Sequence, residues 1–191
     1  EIREIWEEVL ILFANNEWIA DPLTDVDIER LAIEYEMRAN PVWTMPGLEE
    51  CLAAIRQAGL PLGIVSNAQF FTPQLFPALV QQNLRELGFD PELCVWSYEH
   101  RQAKPGKCLF NVTVAALAAR SITPNETLYI GNDMRNDVAP AAQVGFRTAL
   151  FAGDARSLRL REDDPLARGI TPDAVVTDLR QILAVLRLAD S

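Results

Sequence analysis

The segment Leu128–Phe151, LYIGNDMRNDVAPAAQVGFRTALF, holds the densest set of chemistry-bearing residues in the chain. Gly131, Asn132, Asp133, Asn136 and Asp137 follow an apolar run that reads as a buried strand, and a short helix and a second strand come after them. Carboxylates and amides gathered at a strand end suit a hard cation, because Mg²⁺ takes oxygen ligands and keeps some of its waters. In parallel α/β sheets, the carboxyl ends of the strands are also where ligands bind. The segment therefore reads as a metal-holding loop, although Asp and Asn are ordinary turn formers as well. Two more groups could act with it. Ser66 and Asn67 close GIVSN, and a hydroxyl beside exposed backbone N–H groups can bind a phosphate oxygen. Lys104, in QAKPGK, offers a fixed ammonium that can neutralise phosphoryl charge and a nearby carboxylate nucleophile. Pro105 favours an extended backbone at Lys104. Lys107, in the first turn of the next helix, is the competing lysine.

These groups need a scaffold, and the periodicity supplies one. Ile2, Ile5, Trp6, Val9, Leu10 and Phe13 recur at helical spacing over residues 1–15. Thr24, with Asp27 three residues on, reads as a capping box for a second helix reaching about Ala39. Pro41, Pro46 and Gly47 punctuate the chain after it. Helix and strand then alternate: a helix over 47–58, strand 62–66, helix 73–87, strand 93–97, helix 106–119, strand 127–131, helix 137–144, strands 148–152 and 174–177, and a closing helix to about Leu188. Near-continuous apolar strands between helices predict a parallel sheet covered on both faces. The expected division is a small helical unit over 1–44 and an α/β core over 45–191.

At 191 residues and 49% hydrophobic, the chain suits one core domain with a small appendage. A net charge of −10 argues against a nucleic-acid footprint. Cys51, Cys94 and Cys108 show neither zinc nor disulfide spacing and are expected to be buried free thiols in a reducing cytosol. No apolar run approaches the ~20 residues of a membrane span, and no signal peptide is expected. A cytoplasmic protein is expected, with no membrane or nucleic-acid partner and an open oligomeric state. The chain opens inside a helix and without Met, which suggests that its true N-terminus lies further upstream.

The order of hydroxyl, Lys-Pro and acidic turn, carried by PGLEECLAAIRQAGLPLGIVSNAQ, KPGKCLF and GNDMRNDVAPAAQVGF, resembles the haloacid dehalogenase-like (HAD) hydrolase superfamily over nearly the whole chain. The resemblance implies a doubly wound, Rossmann-like parallel core with a small helical cap. It also implies Mg²⁺-dependent phosphoryl transfer through an aspartyl-phosphate, on a small phosphorylated metabolite. Carried over, Ser66 and Lys104 are the catalytic pair, and Ser66, Asn67 and Lys104 bind the phosphoryl group. Asp133, Asp137 and Asn132 hold Mg²⁺. The cap would close over the site as lids do.

The chain departs from that pattern twice. Asn132 stands where the family usually has its first Asp, with Asp133 one place later. The strand that should end in the family's DxD nucleophile motif is missing; Asp25-Val26-Asp27 has the spacing but opens a helix. In this fold that strand lies mid-sheet, between the strands ending at Ser66 and Gly131. Its loss would leave unpaired backbone, so an upstream strand outside these residues is expected. Two rival functions stay open. One is a 2-haloacid dehalogenase, which attacks carbon without Mg²⁺; the other is a non-catalytic HAD-like binding protein. His100 is expected to be solvated. The four tryptophans are expected to pack, with Trp18 and Trp43 as candidates for the substrate entrance. Arg156, Arg159 and Arg161 are expected on a solvated helical face paired with Glu162, Asp163 and Asp164; a basic rim over the site is the alternative.

Overall fold

The computed structural model describes residues 2–20 and 24–187. Two compact units emerge, one of residues 1–44 with 68–83 and the other of residues 45–67 with 84–191. Residues 68–83, read from the sequence as part of the core, thus group with the helices.

In the first unit, α1 (Ile2–Asn15) and α2 (Asp25–Ala39) pack on each other. Leu10, Ile28 and Ala32 are buried, and Trp6 meets Tyr35 edge-on at 5.3 Å. Asp27 accepts hydrogen bonds from the Thr24 backbone N–H at 2.9 Å and hydroxyl at 2.7 Å, while the Asp27 N–H donates to Thr24 Oγ1. The capping box therefore forms, and it occupies the acidic pair that has DxD spacing. The expected helix over 73–87 is shorter: a 3-10 turn at Thr72–Gln74 leads to α4 (Leu75–Val80), which stops where Gln81 turns left-handed. Pro77 has no N–H to donate, so it fits only a first helical turn and sets the start of α4 near itself.

The second unit is the α/β core. β1 (Leu62–Ser66) runs parallel to β2 (Phe89–Trp96), with Val65 opposite Val95 and Ser66 opposite Trp96. β3 (Leu128–Gly131) is parallel to β4 (Arg147–Phe151), and β4 to β5 (Ala174–Val176). These are two sheets, β1-β2 and β3-β4-β5. Among the described residues, β1 is paired only on its β2 side and β3 only on its β4 side. Helices cover both faces and hold the two sheets together. On one face α6 (Cys108–Ala118) buries Leu109, Phe110 and Leu117 against Val65, Leu93 and Val95, with Ala141 and Phe146 in the same cluster. On the other, α3 (Leu48–Gln57) and α8 (Gln181–Val185) bring Cys51, Ile55 and Ile182 against Phe151 and Val176. A mostly apolar cavity of about 490 Å³ separates the sheets, walled by Leu62–Ser66 on one side and Leu128–Gly131 on the other. This slot between β1 and β3 is the place where the sequence reading expects an upstream strand.

Among the described residues, no helix is long and apolar enough to cross a membrane. The cysteines are free; Cys51 is buried and Cys94 half-buried, but Cys108, the first residue of α6, is exposed rather than buried as expected. Trp96 is buried in β2, whereas Trp18 and Trp43 are exposed.

Candidate active site

The carboxyl ends of β1 and β3 meet at Lys104. Its Nζ donates to Asp137 Oδ1 at 2.6 Å, to the Val65 carbonyl at 2.9 Å and to the Tyr129 hydroxyl at 3.0 Å. Both members of the Lys104–Asp137 pair are buried, with side chains 10% and 8% exposed. Val65 lies on the edge of β1 that faces the slot, so a carbonyl without a strand partner is met instead by an ammonium and a phenol. Asn67 fixes the lysine from outside. Its Oδ1 accepts from the Lys104 N–H at 2.7 Å, and its Nδ2 donates to the Lys104 carbonyl at 3.0 Å. The peptide bond that follows, to Pro105, is cis. The sequence reading gives Asn67 to the substrate; in the structure its amide positions Lys104 and still lines the cavity. Ser66 lines the same region half-buried, and its hydroxyl has no hydrogen-bond partner among the described residues.

Asp137 is the second centre. Oδ1 accepts from Lys104 and from the Tyr129 hydroxyl at 3.2 Å, and Oδ2 accepts from the backbone N–H of Asn132 at 3.1 Å and of Asp133 at 3.0 Å. A carboxylate offers roughly four lone-pair directions, and four donors fill them. The turn can wrap this tightly only around Gly131, where an added Cβ would sit 2.4 Å from Asp137 Cβ. Burial raises the Tyr129 hydroxyl well above its ordinary pKa, and the neighbouring Asp137 charge adds to the shift.

Asp133 caps the next turn. Its Oδ1 accepts from the N–H groups of Arg135 at 2.9 Å and Asn136 at 3.2 Å, so a π-helical turn (Met134–Val138) begins ahead of the expected helix and leads into α7 (Ala139–Gln143). Its Oδ2 accepts from Asn136 Nδ2 and from Arg161 Nη2, both at 2.9 Å. Burial raises the Asp133 pKa, but the Arg161 guanidinium and the Asn136 and Arg135 N–H groups outweigh it and hold the carboxyl below its ordinary range. Asn132 spends its Nδ2 on the Ser157 carbonyl at 2.6 Å.

Arg161 comes from a segment that the sequence reading places on a helix. Residues 158–160 instead run extended beside the acidic turn: Arg159 N–H donates to the Asn132 carbonyl and Met134 N–H to the Arg159 carbonyl, both at 2.9 Å. The L-R-L-R alternation of Leu158–Arg161 is the period of an extended strand, not of a helix. Leu158 packs on the core cluster of Met134, Val138 and Leu150. Arg161 pairs with Asp133, while Asp164 pairs with Arg135. The helical face paired with residues 162–164 is therefore corrected: of the three arginines, Arg159 and Arg161 line the site's cavity and Arg156 does not. A polar cavity of about 340 Å³ is lined by Ser66, Asn67 and Lys104, by Asn132, Asp133, Asn136 and Asp137, and by Ser157, Arg159 and Arg161. All six residues expected from the sequence to act together are in it. His100 and Lys107 line neither this cavity nor the slot. Tyr129 escaped notice, and its only signal was a phenol in an otherwise aliphatic strand.

The oxygens here fit a hard cation by type, through the Asp133 carboxylate and the Asn132 side-chain carbonyl. Asp137 stands behind them with its lone pairs occupied, and a cation at Asp133 would compete with Arg161. Among the described residues, no three His, Cys, Asp or Glu side chains gather into a metal cluster, so a full shell needs oxygens from waters, substrate or the slot.

Comparison with known proteins identifies the family. A family model described as haloacid dehalogenase-like hydrolase matches residues 2–145. A curated relative, the ribulose-1,5-bisphosphate 5-phosphatase of Halopiger xanaduensis, is 28% identical over 109 residues, which are 56% of this chain and 41% of the relative. Among solved structures, a HAD phosphatase from Thermococcus onnurineus superposes with a TM-score of 0.61 at 20% identity, over 85% of this chain and 65% of that one. An L-2-haloacid dehalogenase gives 0.59 at 21%, over 95% and 70%. A putative HAD hydrolase from Bacillus subtilis, bound to magnesium, gives 0.55 at 16%, over 97% and 92%. At these identities the superpositions establish the fold. This chain spans about two-fifths of the curated relative's length and 65% of the Thermococcus structure's. With its parallel α/β core and a family match over most of its length, the chain belongs to the haloacid dehalogenase-like hydrolases.

Proposed function

We propose that the protein is a Mg²⁺-dependent phosphatase of a small phosphorylated metabolite. The observation that carries this is Lys104 Nζ, buried and held between Asp137 and the Val65 carbonyl, with the Ser66 hydroxyl, unpartnered among the described residues, lining the same slot. The nucleophile would be a carboxylate on a strand filling that slot. Its oxygen bonds to phosphorus as the ester P–O bond breaks, and the leaving oxygen departs as an alcohol after gaining a proton; water then hydrolyses the acyl phosphate. Ser66 donates to a phosphoryl oxygen. Lys104 balances the charge that gathers there, and Asp137 and Asn67 fix its direction, so no reorganisation is needed as the reaction proceeds. Asp133 and Asn132 would hold Mg²⁺, which when bound offsets phosphoryl charge. The curated relative acts on a sugar bisphosphate, which makes sugar phosphates the first substrates to try.

The test is phosphate release from sugar phosphates, ribulose 1,5-bisphosphate included, by protein that carries the slot strand, with Mg²⁺ or with chelator. Metal-dependent release that falls at least about 100-fold in Lys104→Met is expected, in line with the loss of a fixed electrostatic group. Halide release from a 2-haloacid without metal, with no phosphate release, would make the protein a dehalogenase. Inactivity in both assays would favour the binding-protein alternative.

A further inference from the structure

The chain as a whole carries −10, yet the 340 Å³ cavity does not share that sign. Lys104, Arg159 and Arg161 line it against Asp133 and Asp137. Two of the three cations are paired, Lys104 with Asp137 and Arg161 with Asp133. Among the described residues, Arg159 has no carboxylate partner. Its Nη1 donates to the carbonyls of Arg156 at 2.7 Å and Leu158 at 2.9 Å, which sets the direction of the guanidinium without neutralising it. The placement of Arg159 is built in. Its N–H and C=O bridge Asn132 and Met134, on either side of Asp133, and Asn132 Nδ2 ties down Ser157 two residues earlier. Arg161, two residues on, turns left-handed (φ 55°) and lines the same cavity as Arg159. A local excess of cations inside an anionic molecule draws anions to that point, and guanidinium forks suit carboxylate and phosphate oxygens.

We propose that Arg159, seconded by Arg161, forms an anion subsite for a second acidic group of the substrate, so that the preferred substrates are small metabolites with a phosphoryl group and another phosphate or carboxylate. The subsite rests on the phosphatase reading for the first phosphoryl group, which Ser66 and Lys104 take. Arg159 is the specificity-determining residue, and it lines the same cavity as Lys104. The cavity is at the small end of the range for metabolite pockets, about 300–1,000 Å³.

The experiment is calorimetric binding of two probes with the same carbon count, 3-phosphoglycerate and glycerol 3-phosphate, in Mg²⁺ buffer. They differ by one carboxylate. The protein should bind 3-phosphoglycerate about tenfold more tightly. Arg159→Gln should cut that preference to about twofold and leave the affinity for glycerol 3-phosphate unchanged, and Arg159→Lys should keep part of it. Only the backbone of Arg159 braces the acidic turn, so both variants should retain the wild-type circular dichroism spectrum and melting temperature. Equal binding of the two probes, equal weakening of both in Arg159→Gln, or no binding of either would overturn the subsite. Failure of the phosphatase reading looks different: 3-phosphoglycerate binding would then depend on Arg159 but not on Lys104→Met.

Discussion

At the scale of single residues, Asp137 joins most of the interactions. It receives Lys104, Tyr129 and two backbone N–H groups, and Gly131 gives it room. Asp137→Asn is expected to abolish the proposed phosphatase activity, because the neutral amide no longer balances Lys104. The structure assigns it a folding cost as well, because the substitution leaves the Lys104 ammonium buried without its counter-charge. Breaking one side of a buried ion pair costs about 3–5 kcal/mol. Chemical denaturation of Asp137→Asn should show a loss of that order. The double variant Asp137→Leu with Lys104→Met should recover much of it, since neither charge then remains buried. A single variant as stable as wild type would mean that Asp137 is not the partner of Lys104 in solution.

At the scale of elements, the two half-sheets set the pattern. β4 has β3 on one side and β5 on the other, while β1 and β3 each have one edge on the slot. Backbone groups at a buried edge without partners cost about 1–3 kcal/mol each, so these edges should be the first parts of the core to open. Hydrogen exchange on this chain should find the amides of β4 protected longest, with β1 and β3 exchanging well ahead of them. Protection of β1 equal to that of β4 would show that another segment fills the slot. The same elements expose two misreadings of sequence. Pro77 and the left-handed Gln81 cut short a helix whose apolar residues recur plausibly as far as Leu87. The alternating Leu158–Arg161 run reads as helical only when its charges are matched to Glu162–Asp164.

For the whole molecule, stability against pH follows from groups whose ionisation changes on folding. Asp133 lies below its ordinary 3.8, so its contribution is complete above about pH 4 and is lost as pH falls through the lowered value. Two groups act at the alkaline end. Burial raises Cys94 from 9.0 to about 11, so its contribution is present below pH 9.0 and is lost as pH rises through about 11. Tyr129 behaves likewise above 10.0. Urea denaturation across pH should give a plateau from about pH 5 to about pH 8, with losses on both sides. Arg161→Gln should move the acid limb to higher pH, because Asp133 would no longer be held as low; an unmoved limb would place Arg161 elsewhere in solution.

The sequence by itself determined the order of helices and strands, the parallel α/β class, the Thr24–Asp27 cap and the set of polar residues that share the site. Each of these rests on local chemistry: periodicity, capping spacing, or polar side chains just past an apolar run. It also raised the expectation of a further mid-sheet strand, because a motif expected at one strand end was absent. Only the tertiary structure decided the partners. Asn67 serves Lys104 at 37 positions' remove, Tyr129 reaches across the slot to Val65, and Arg161 turns back onto Asp133. Those pairings span 28 to 64 positions, and no local pattern along a chain encodes which distant segments will face each other.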